Sequence, residues 1–192
     1  MSRDLLESPL PALPGLYALQ GPSEAAPRLL RGLAQGLAAG LSLFWIDAGN
    51  AFDAYGLGSA CRAGGLDPRQ ALSRVRLSRP FNMFQLETVV CQKLPLSWRG
   101  EPVVLSDPLA LLHDPDAPAG KAARVWERVL AGMRALPAVW LVLAVRRKPP
   151  PGCADLCLEL QRTANAYMYL GEGKDNGDGE KRALGKSASF RG

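Results

Sequence analysis

The sequence contains few of the residues that hold metal ions or form redox pairs. It has four cysteines and one histidine in 192 residues. No two of the cysteines (Cys61, Cys91, Cys153 and Cys157) have the C-x-x-C spacing of a zinc knuckle or a thiol–disulfide motif. We therefore expect no metal site and no redox motif, and we expect the cysteines to be small buried apolar side chains.

Long apolar runs are also missing. No apolar segment approaches the ~20 residues that cross a bilayer, and the N-terminus lacks the charged-then-apolar pattern of a secretory signal. These absences predict a cytoplasmic, reduced protein without a membrane partner. Hydrophobic residues make up 47% and charged residues 21% of the chain, which is typical of a globular protein with a full core. The net charge of +5 is compatible with an acidic partner or a nucleic acid but does not establish one.

Short apolar runs alternate with longer amphipathic segments, which predicts βαβ units and a mostly parallel sheet. Strands are predicted at 15–19, 41–47, 75–78, 102–105 and 138–145, and helices at 24–39, 51–64, 83–94 and 119–136. We expect the second of these helices to be broken at Gly56 and Gly58. A further helix is expected to begin at Asp67-Pro68, a capping residue followed by a first-turn proline. Two more strands, antiparallel to each other, are expected at 154–160 and 164–170.

The segment Gly21–Arg28 (GPSEAAPR) lies where a phosphate-binding loop would lie, between a predicted strand and a predicted helix. A working loop reads G-x-x-x-x-G-K-[ST], and its second glycine, lysine and hydroxyl hold the phosphates and magnesium. Those three positions are Ala26, Pro27 and Arg28 in this chain. Because proline supplies neither an amide hydrogen nor a cation, the segment predicts a loop that has lost phosphate binding.

The order of these elements and their sequence motifs resemble the RecA family of recombinases over residues 15–170. GPSEAAPRLL resembles the family's GPESSGKTTL, FWIDAGNAFD (residues 44–53) resembles FIDAEHALD, and SRPFN (residues 78–82) followed by Gln85-Leu86 resembles A-R-x-[FY]-N. VVLSDPLALL (residues 103–112) resembles the Walker B strand, and LAVRR (residues 143–147) takes the place of the family's I-N-Q. The resemblance implies an α/β fold, a RecA-like three-layer sandwich with a mostly parallel central sheet.

The resemblance also assigns chemical roles to positions at which this chain departs from the family. The glutamate that activates the attacking water corresponds to Gly49, and the metal-associated aspartate corresponds to Ser106, or to Asp107 if the alignment shifts by one. The polar pair that senses the terminal phosphate corresponds to Arg146 and Arg147. Together with the altered loop, these departures predict a pseudo-ATPase that has no catalytic residues, binds no nucleotide and needs no cofactor.

The composition of the chain and the extent of the resemblance predict the domain boundaries. Residues 1–14, which are punctuated by prolines, are expected to form an N-terminal arm, and residues 15–170 the RecA-like core. Residues 171–192 begin with a segment rich in glycine and charged residues, which predicts a flexible loop and tail. Residues 181–190 are a candidate edge strand. The arm is apolar enough to pass to a neighbouring subunit, or simply to cover its own core.

Clustered cations are the candidate DNA contacts. Arg146, Arg147 and Lys148 follow the strongest predicted strand, and by resemblance this loop is where recombinases bind DNA. A second group surrounds one helix end and the strand after it; its candidates are Arg74, Arg76 and Arg79. Contact with DNA phosphates is one interpretation of both groups, and an ordinary solvated rim is the other.

The resemblance implies a catalytically inactive accessory protein of DNA recombination or repair, which binds a RecA-type recombinase or another DNA-repair protein, with DNA as a further partner. Two alternatives remain open. One is an active, atypical ATPase that uses ATP and magnesium, with Arg28 or Arg31 in place of the missing lysine. The other is a regulatory subunit outside recombination, for example of a DNA polymerase or a cell-division factor.

Overall fold

The computed structural model describes residues 10–113, 120–145 and 155–169. These ranges contain a six-stranded sheet with the order β3-β2-β4-β5-β1-β6. Its strands are β1 (Gly15–Gly21), β2 (Leu43–Asp47), β3 (Val75–Ser78), β4 (Val103–Ser106), β5 (Val139–Val145) and β6 (Ala166–Tyr169). Every strand pairing is parallel. The predicted α/β fold with a mostly parallel central sheet is confirmed.

Helices cover both faces of the sheet, which makes a three-layer sandwich. The first face carries α1 (Ala25–Gly32), α2 (Ala34–Ala38), α3 (Ala54–Ala63) and α4 (Pro68–Ser73). The second carries α5 (Met83–Thr88), a π-helical segment (Val89–Lys93), α6 (Leu94–Ser97), α7 (Leu109–Leu112), α8 (Lys121–Ala135) and α9 (Leu156–Thr163). Alternate strand residues point to opposite faces. Two core tryptophans follow this rule: Trp45 packs on the first face and Trp140 on the second, and they are 0% and 1% exposed.

Side-chain caps fix where several helices begin. Asp67 accepts a hydrogen bond from the Arg69 amide at 2.9 Å, and Pro68 is the first residue of α4, so the predicted helix start is confirmed. The α3 helix begins after Asp53, whose carboxylate accepts from the Gly56 amide at 2.7 Å. The prediction that Gly56 breaks this helix is wrong. A glycine at this position leaves room for the Asp53 carboxylate, which lies where a Cβ of residue 56 would be. Gly58 is buried within the same continuous helix.

The prediction of a strand at 154–160 is wrong. Leu156 and the residues up to 160 belong to α9, and the strand that follows it, β6, pairs with β1 in parallel rather than with an antiparallel neighbour. Asp155 starts the helix by accepting hydrogen bonds from the amides of Cys157 and Leu158 at 3.1 and 3.3 Å. Leu156 and Leu160 are both buried, which is the spacing of one helical face.

The predicted helix at 83–94 extends to Ser97 and changes geometry on the way. Within the π-helical segment the hydrogen bonds span five residues, as in the bond from the Leu94 amide to the Val89 carbonyl. Pro95 follows immediately and has no amide with which to continue an α-helical ladder. The wider turn therefore accommodates the proline and brings the chain to Ser97, beside the start of β3.

Parts of the predicted boundaries lie outside the described residues, namely 1–9 of the arm, Pro149 to Pro151, and the tail 171–192. The described end of the arm contacts the first face of the sandwich through Leu10. Leu13 is 70% exposed, and its carbonyl accepts a hydrogen bond from the Tyr17 hydroxyl at 3.2 Å. In the part of the chain that the structure describes, no helix combines the length and apolar character needed to cross a membrane.

Candidate functional site

The carboxyl ends of β2 and β4 form one of the places where this topology would normally bind a ligand. The chain leaves β2 through α3 on the first face and leaves the neighbouring strand β4 through α7 on the second face. In open α/β sheets the crevice between two strands with such diverging connections is the usual ligand site. Gly49, Ser106 and Asp107, which the resemblance singled out, all lie there.

Backbone hydrogen bonds close this crevice. The amides of Ala48 and Gly49 both donate to the Ser106 carbonyl at 3.1 Å, which joins the chain after β2 to the end of β4. The Asp107 amide donates to the Leu143 carbonyl of β5 at 2.7 Å. Hydrogen bonds therefore join the carboxyl ends of β2, β4 and β5, beside the crevice that a ligand would occupy.

The Asp47 carboxylate, at the end of β2, is the centre of a buried polar network. It is 0% exposed and paired with the Arg79 guanidinium, whose Nε and Nη2 donate to Oδ2 at 3.1 and 2.9 Å. The Ala51 amide and the Ser106 hydroxyl donate to Oδ1 at 2.7 and 2.9 Å, and the Phe52 amide to Oδ2 at 3.3 Å. A carboxylate has about four lone-pair sites. These partners occupy that capacity, which leaves Asp47 no oxygen with which to hold a metal or orient water.

Ser106, the residue at the expected metal position, belongs to the same network. Its hydroxyl donates to Asp47 and accepts a hydrogen bond from the Trp45 indole nitrogen at 3.1 Å. The side chain is fully buried. Its hydroxyl therefore connects two strands of the core and does not face a ligand.

Gly49, at the expected position of the catalytic glutamate, lies directly against Asp107. A Cβ placed on Gly49 would be 2.5 Å from the Asp107 Cβ and 3.0 Å from its Oδ2. Asp107 is only 4% exposed and has a left-handed backbone, with φ of 45°. No side chain fits at position 49 unless Asp107 moves.

The junction of β1 and α1 lies where the resemblance predicts a phosphate loop. Only Pro22 to Glu24 separate the end of β1 at Gly21 from the first residue of α1. The Ala25 amide donates to the Pro22 carbonyl at 3.1 Å, and the Arg28 amide to the Glu24 carbonyl at 3.0 Å. These amides, which a phosphate would need, are therefore bonded within the chain.

The three altered loop positions all fall in the first turn of α1. Ala26 is 5% exposed and packs into the core of the first face, so it does not line a phosphate cradle. Pro27 has no amide hydrogen to donate, and it lies in the first turn of the helix, where a proline is tolerated. Arg28 is exposed. Arg31, one turn further on, forms an ion pair with Asp53 at 3.5 Å.

The three arginines of the second candidate DNA group lie at opposite ends of β3. Arg79 follows its carboxyl end and is paired with Asp47. Arg74 precedes its amino end, and Arg76 lies near that end, where its guanidinium is over the Phe44 ring at 4.9 Å and forms an ion pair with Glu101. The structure thus places Arg74 and Arg76 together at the amino-terminal edge of the sheet and Arg79 at the opposite edge. Arg146, Arg147 and Lys148 lie outside the described residues.

Cavities on the described surface include one at each of two places in the sheet. The larger, about 750 Å³, lies at the amino-terminal edge of the sheet beside Arg74, Arg76 and Arg99. The smaller, about 420 Å³, lies between β1, β6 and the start of α9, beside Gln20, Cys157 and Tyr167.

The groups in the smaller cavity are poorly suited to nucleophilic chemistry. The Tyr167 hydroxyl donates to Gln20 Oε1 at 3.2 Å, and Gln20 Nε2 donates to Cys157 Sγ at 3.6 Å. Burial, and then the nearby Asp155 carboxylate, raise the pKa of the Cys157 thiol. Burial and the adjacent Cys157 likewise raise the pKa of Tyr167. Because the thiolate is the nucleophile, a raised pKa keeps this cysteine unreactive at neutral pH.

The chain matches no protein-family model and no curated protein. Among the described residues, no three histidine, cysteine, aspartate or glutamate side chains come together as a metal site. The sequence analysis missed Asp47 and Arg79 as partners. The signal that could have found them is a carboxylate at the end of a fully apolar strand, since such a group needs a cation when it is buried.

Proposed function

We propose that this chain is a catalytically inactive, RecA-like accessory protein of DNA recombination or repair, which acts by binding a RecA-type recombinase or another repair protein, and DNA. The contact between Gly49 and Asp107 is the observation that carries the proposal. Glycine at position 49 has no carboxylate, and Asp107 occupies the space that a side chain at this position would need.

The closed crevice supports binding rather than hydrolysis. A nucleotide entering between the ends of β2 and β4 would have to break the two hydrogen bonds that the Ala48 and Gly49 amides donate to the Ser106 carbonyl. Each such bond contributes about 0.5–1.5 kcal/mol to stability, and a buried group left without its partner costs about 1–3 kcal/mol. The first turn of α1 offers little in return, because Pro27 stands where the phosphate-binding lysine would be.

Of the two cations that an atypical ATPase could use, Arg31 is already paired with Asp53 at the start of α3. Arg28 is exposed, and the turn that carries it also carries the proline. These contacts favour the accessory protein over the atypical ATPase.

A reconstituted assay with the recombinase of the same organism tests the proposal. We expect the chain alone to hydrolyse no ATP above background, and we expect a stoichiometric amount of it to change the recombinase's rates of ATP hydrolysis and strand exchange. Magnesium-dependent turnover by the chain alone would contradict the proposal, and so would recombinase rates that do not respond to the chain.

A matched pair of variants asks whether the arm makes the contact. Leu13, at the described end of the arm, and Leu96, in α6, are 70% and 91% exposed. If the arm binds the recombinase, Leu13→Glu abolishes the effect on its rates while Leu96→Glu leaves it intact. Equal behaviour of the two variants would place the contact elsewhere.

A further inference from the structure

We propose that the amino-terminal edge of the sheet binds the phosphate backbone of double-stranded DNA, through a pocket formed by Arg74, Arg76 and Arg99. This inference rests on the DNA partner of the proposed function. It places the DNA at the edge opposite the loop after β5.

The pocket lies where three chain segments meet before their strands. Its walls are the turn before β2 (Gly40 to Ser42), the end of α4 with its cap (Gln70 to Arg74), and the turn before β4 (Arg99 to Pro102); Arg76 of β3 forms part of the lining. The cavity is open and about 750 Å³ in volume. It is therefore accessible to a group on the outside of a large ligand.

The charges in this pocket are unbalanced. Three guanidinium groups face one carboxylate, Glu101, which is 5% exposed and already paired with Arg76. Arg74 and Arg99 are exposed, and within the described ranges neither forms an ion pair. Burial and the like charge of Arg99 lower the pKa of Arg76, so an anion bound between these cations would relieve an existing repulsion.

The central cation is held in place before any ligand arrives. Arg76 stacks on Phe44, and its Nη1 donates to the Ser97 carbonyl at 2.8 Å. The two glycines at the rim, Gly40 and Gly100, have positive φ of 110° and 94° and open space around them. A rigid guanidinium at the base of an accessible pocket suits a phosphate, because it loses little freedom on binding.

Cations beyond the pocket favour a long polyanion over a compact ligand. The helices α8 and α9 lead into β5 and β6 and end at this edge, and their last turns carry the basic residues Arg134 and Arg162. Such residues also stabilise the helix ends. Strands in a sheet are ~4.8 Å apart, so cations spread across this edge can meet several phosphates of a duplex, which carries one charge per ~1.7 Å of its axis.

The distribution of aromatic side chains favours a duplex over a single strand. Single strands bind through bases stacked on exposed aromatic rings. The strongly exposed rings of Tyr55, Phe81 and Tyr169 lie at or after the carboxyl ends of strands, on the other edge. Trp98, near the pocket, is partly buried against the core, and its indole nitrogen donates to the Glu101 carbonyl at 2.7 Å.

Fluorescence anisotropy of a labelled DNA duplex over a series of salt concentrations tests the inference. In Arg74→Gln/Arg99→Gln we expect at least about tenfold weaker binding, and a slope of log affinity against log salt reduced by about two. Both side chains are exposed, so the variant is expected to fold, and its thermal unfolding checks this. The matched control is Lys121→Gln/Arg124→Gln, which removes the same charge from exposed positions in the first turns of α8; this control is expected to bind like the wild type.

Four outcomes would overturn the inference. An equal loss in the control would show a general charge effect. Loss in Arg146→Gln/Arg147→Gln but not in the pocket variant would place the DNA on the loop after β5, which keeps DNA in the proposed function. A clear preference for single strands would contradict backbone binding of a duplex. No binding of wild type to any DNA at low salt would remove both this inference and the DNA part of the proposed function, while the recombinase assay would still decide the rest.

Discussion

Gly49 lies so close to Asp107 that any Cβ would overlap it. Its neighbour in the network, Ser106, uses its hydroxyl to join Trp45 to Asp47. At these positions, to which the resemblance assigns nucleotide chemistry, the observed contacts are structural and stabilise the ends of β2 and β4.

Substitution of Gly49 by alanine is expected to destabilise the protein by about 1–3 kcal/mol, because the methyl group forces Asp107 out of a tightly packed position. Urea unfolding followed by circular dichroism measures this. The control is Gly32→Ala at the end of α1, where an added Cβ meets nothing within 4 Å. That variant is expected to be neutral or slightly stabilising. A Gly49→Ala variant that unfolds at the wild-type urea concentration would contradict the packing described for the crevice.

The sequence identifies the residue types at the candidate site: proline at position 27 has neither an amide hydrogen nor a cation, and glycine at position 49 has no side chain that could activate water. Whether phosphate binding is lost stays a prediction. The polar network around Asp47 could not be predicted, because it depends on register. Ile46 pairs with Ser78 and Asp47 with Ser106. These pairings put Arg79 and the Ser106 hydroxyl on either side of the carboxylate.

The β1–α1 junction is short and is hydrogen-bonded within itself. Its connection is three residues long, and the first turn of α1 contains all the altered loop positions. The amides of Ala25 and Arg28 are bonded to carbonyls of that same connection. Restoring the side chains of a phosphate loop would therefore not restore its backbone.

We expect the triple variant Ala26→Gly/Pro27→Lys/Arg28→Thr, which rewrites the motif, to hydrolyse ATP no faster than the uncatalysed background. The crevice between β2 and β4 stays closed in this variant, and Gly49 still provides no carboxylate. Release of phosphate from ATP with magnesium measures the rate, and a retained unfolding temperature shows that the variant is folded. Turnover by the triple variant would mean that the loop alone had silenced the enzyme.

Elements were predictable where one signal dominated. The apolar runs of β2, β4 and β5 and the Asp67-Pro68 start of α4 agree with the structure. The start of α9 was misread because its leucines alternate with other residues like those of a strand. There the cap at Asp155 and the buried pair Leu156 and Leu160 decide the outcome. The π-helical segment depends on Pro95, whose effect on the preceding turn a helical periodicity does not show.

The two edges of the sheet differ in chemistry across the whole molecule. At the carboxyl edge, the buried carboxylates Asp47 and Asp107 belong to a crevice tied shut by hydrogen bonds. At the amino edge, an open pocket carries three arginines and one paired carboxylate. Parallel α/β sheets usually bind ligands at the first of these edges. Among the described residues, the pocket at the amino edge is the more open to an anionic partner.

Isothermal titration of the wild-type chain with ATP and magnesium is the most direct test of the closed crevice. Up to about 1 mM nucleotide we expect no saturable heat and no rise in unfolding temperature, because binding would require breaking the bonds that join the ends of β2 and β4. A one-site isotherm with a dissociation constant near or below about 10 μM, together with stabilisation by the nucleotide, would show that the crevice opens and would contradict the proposed loss of nucleotide chemistry.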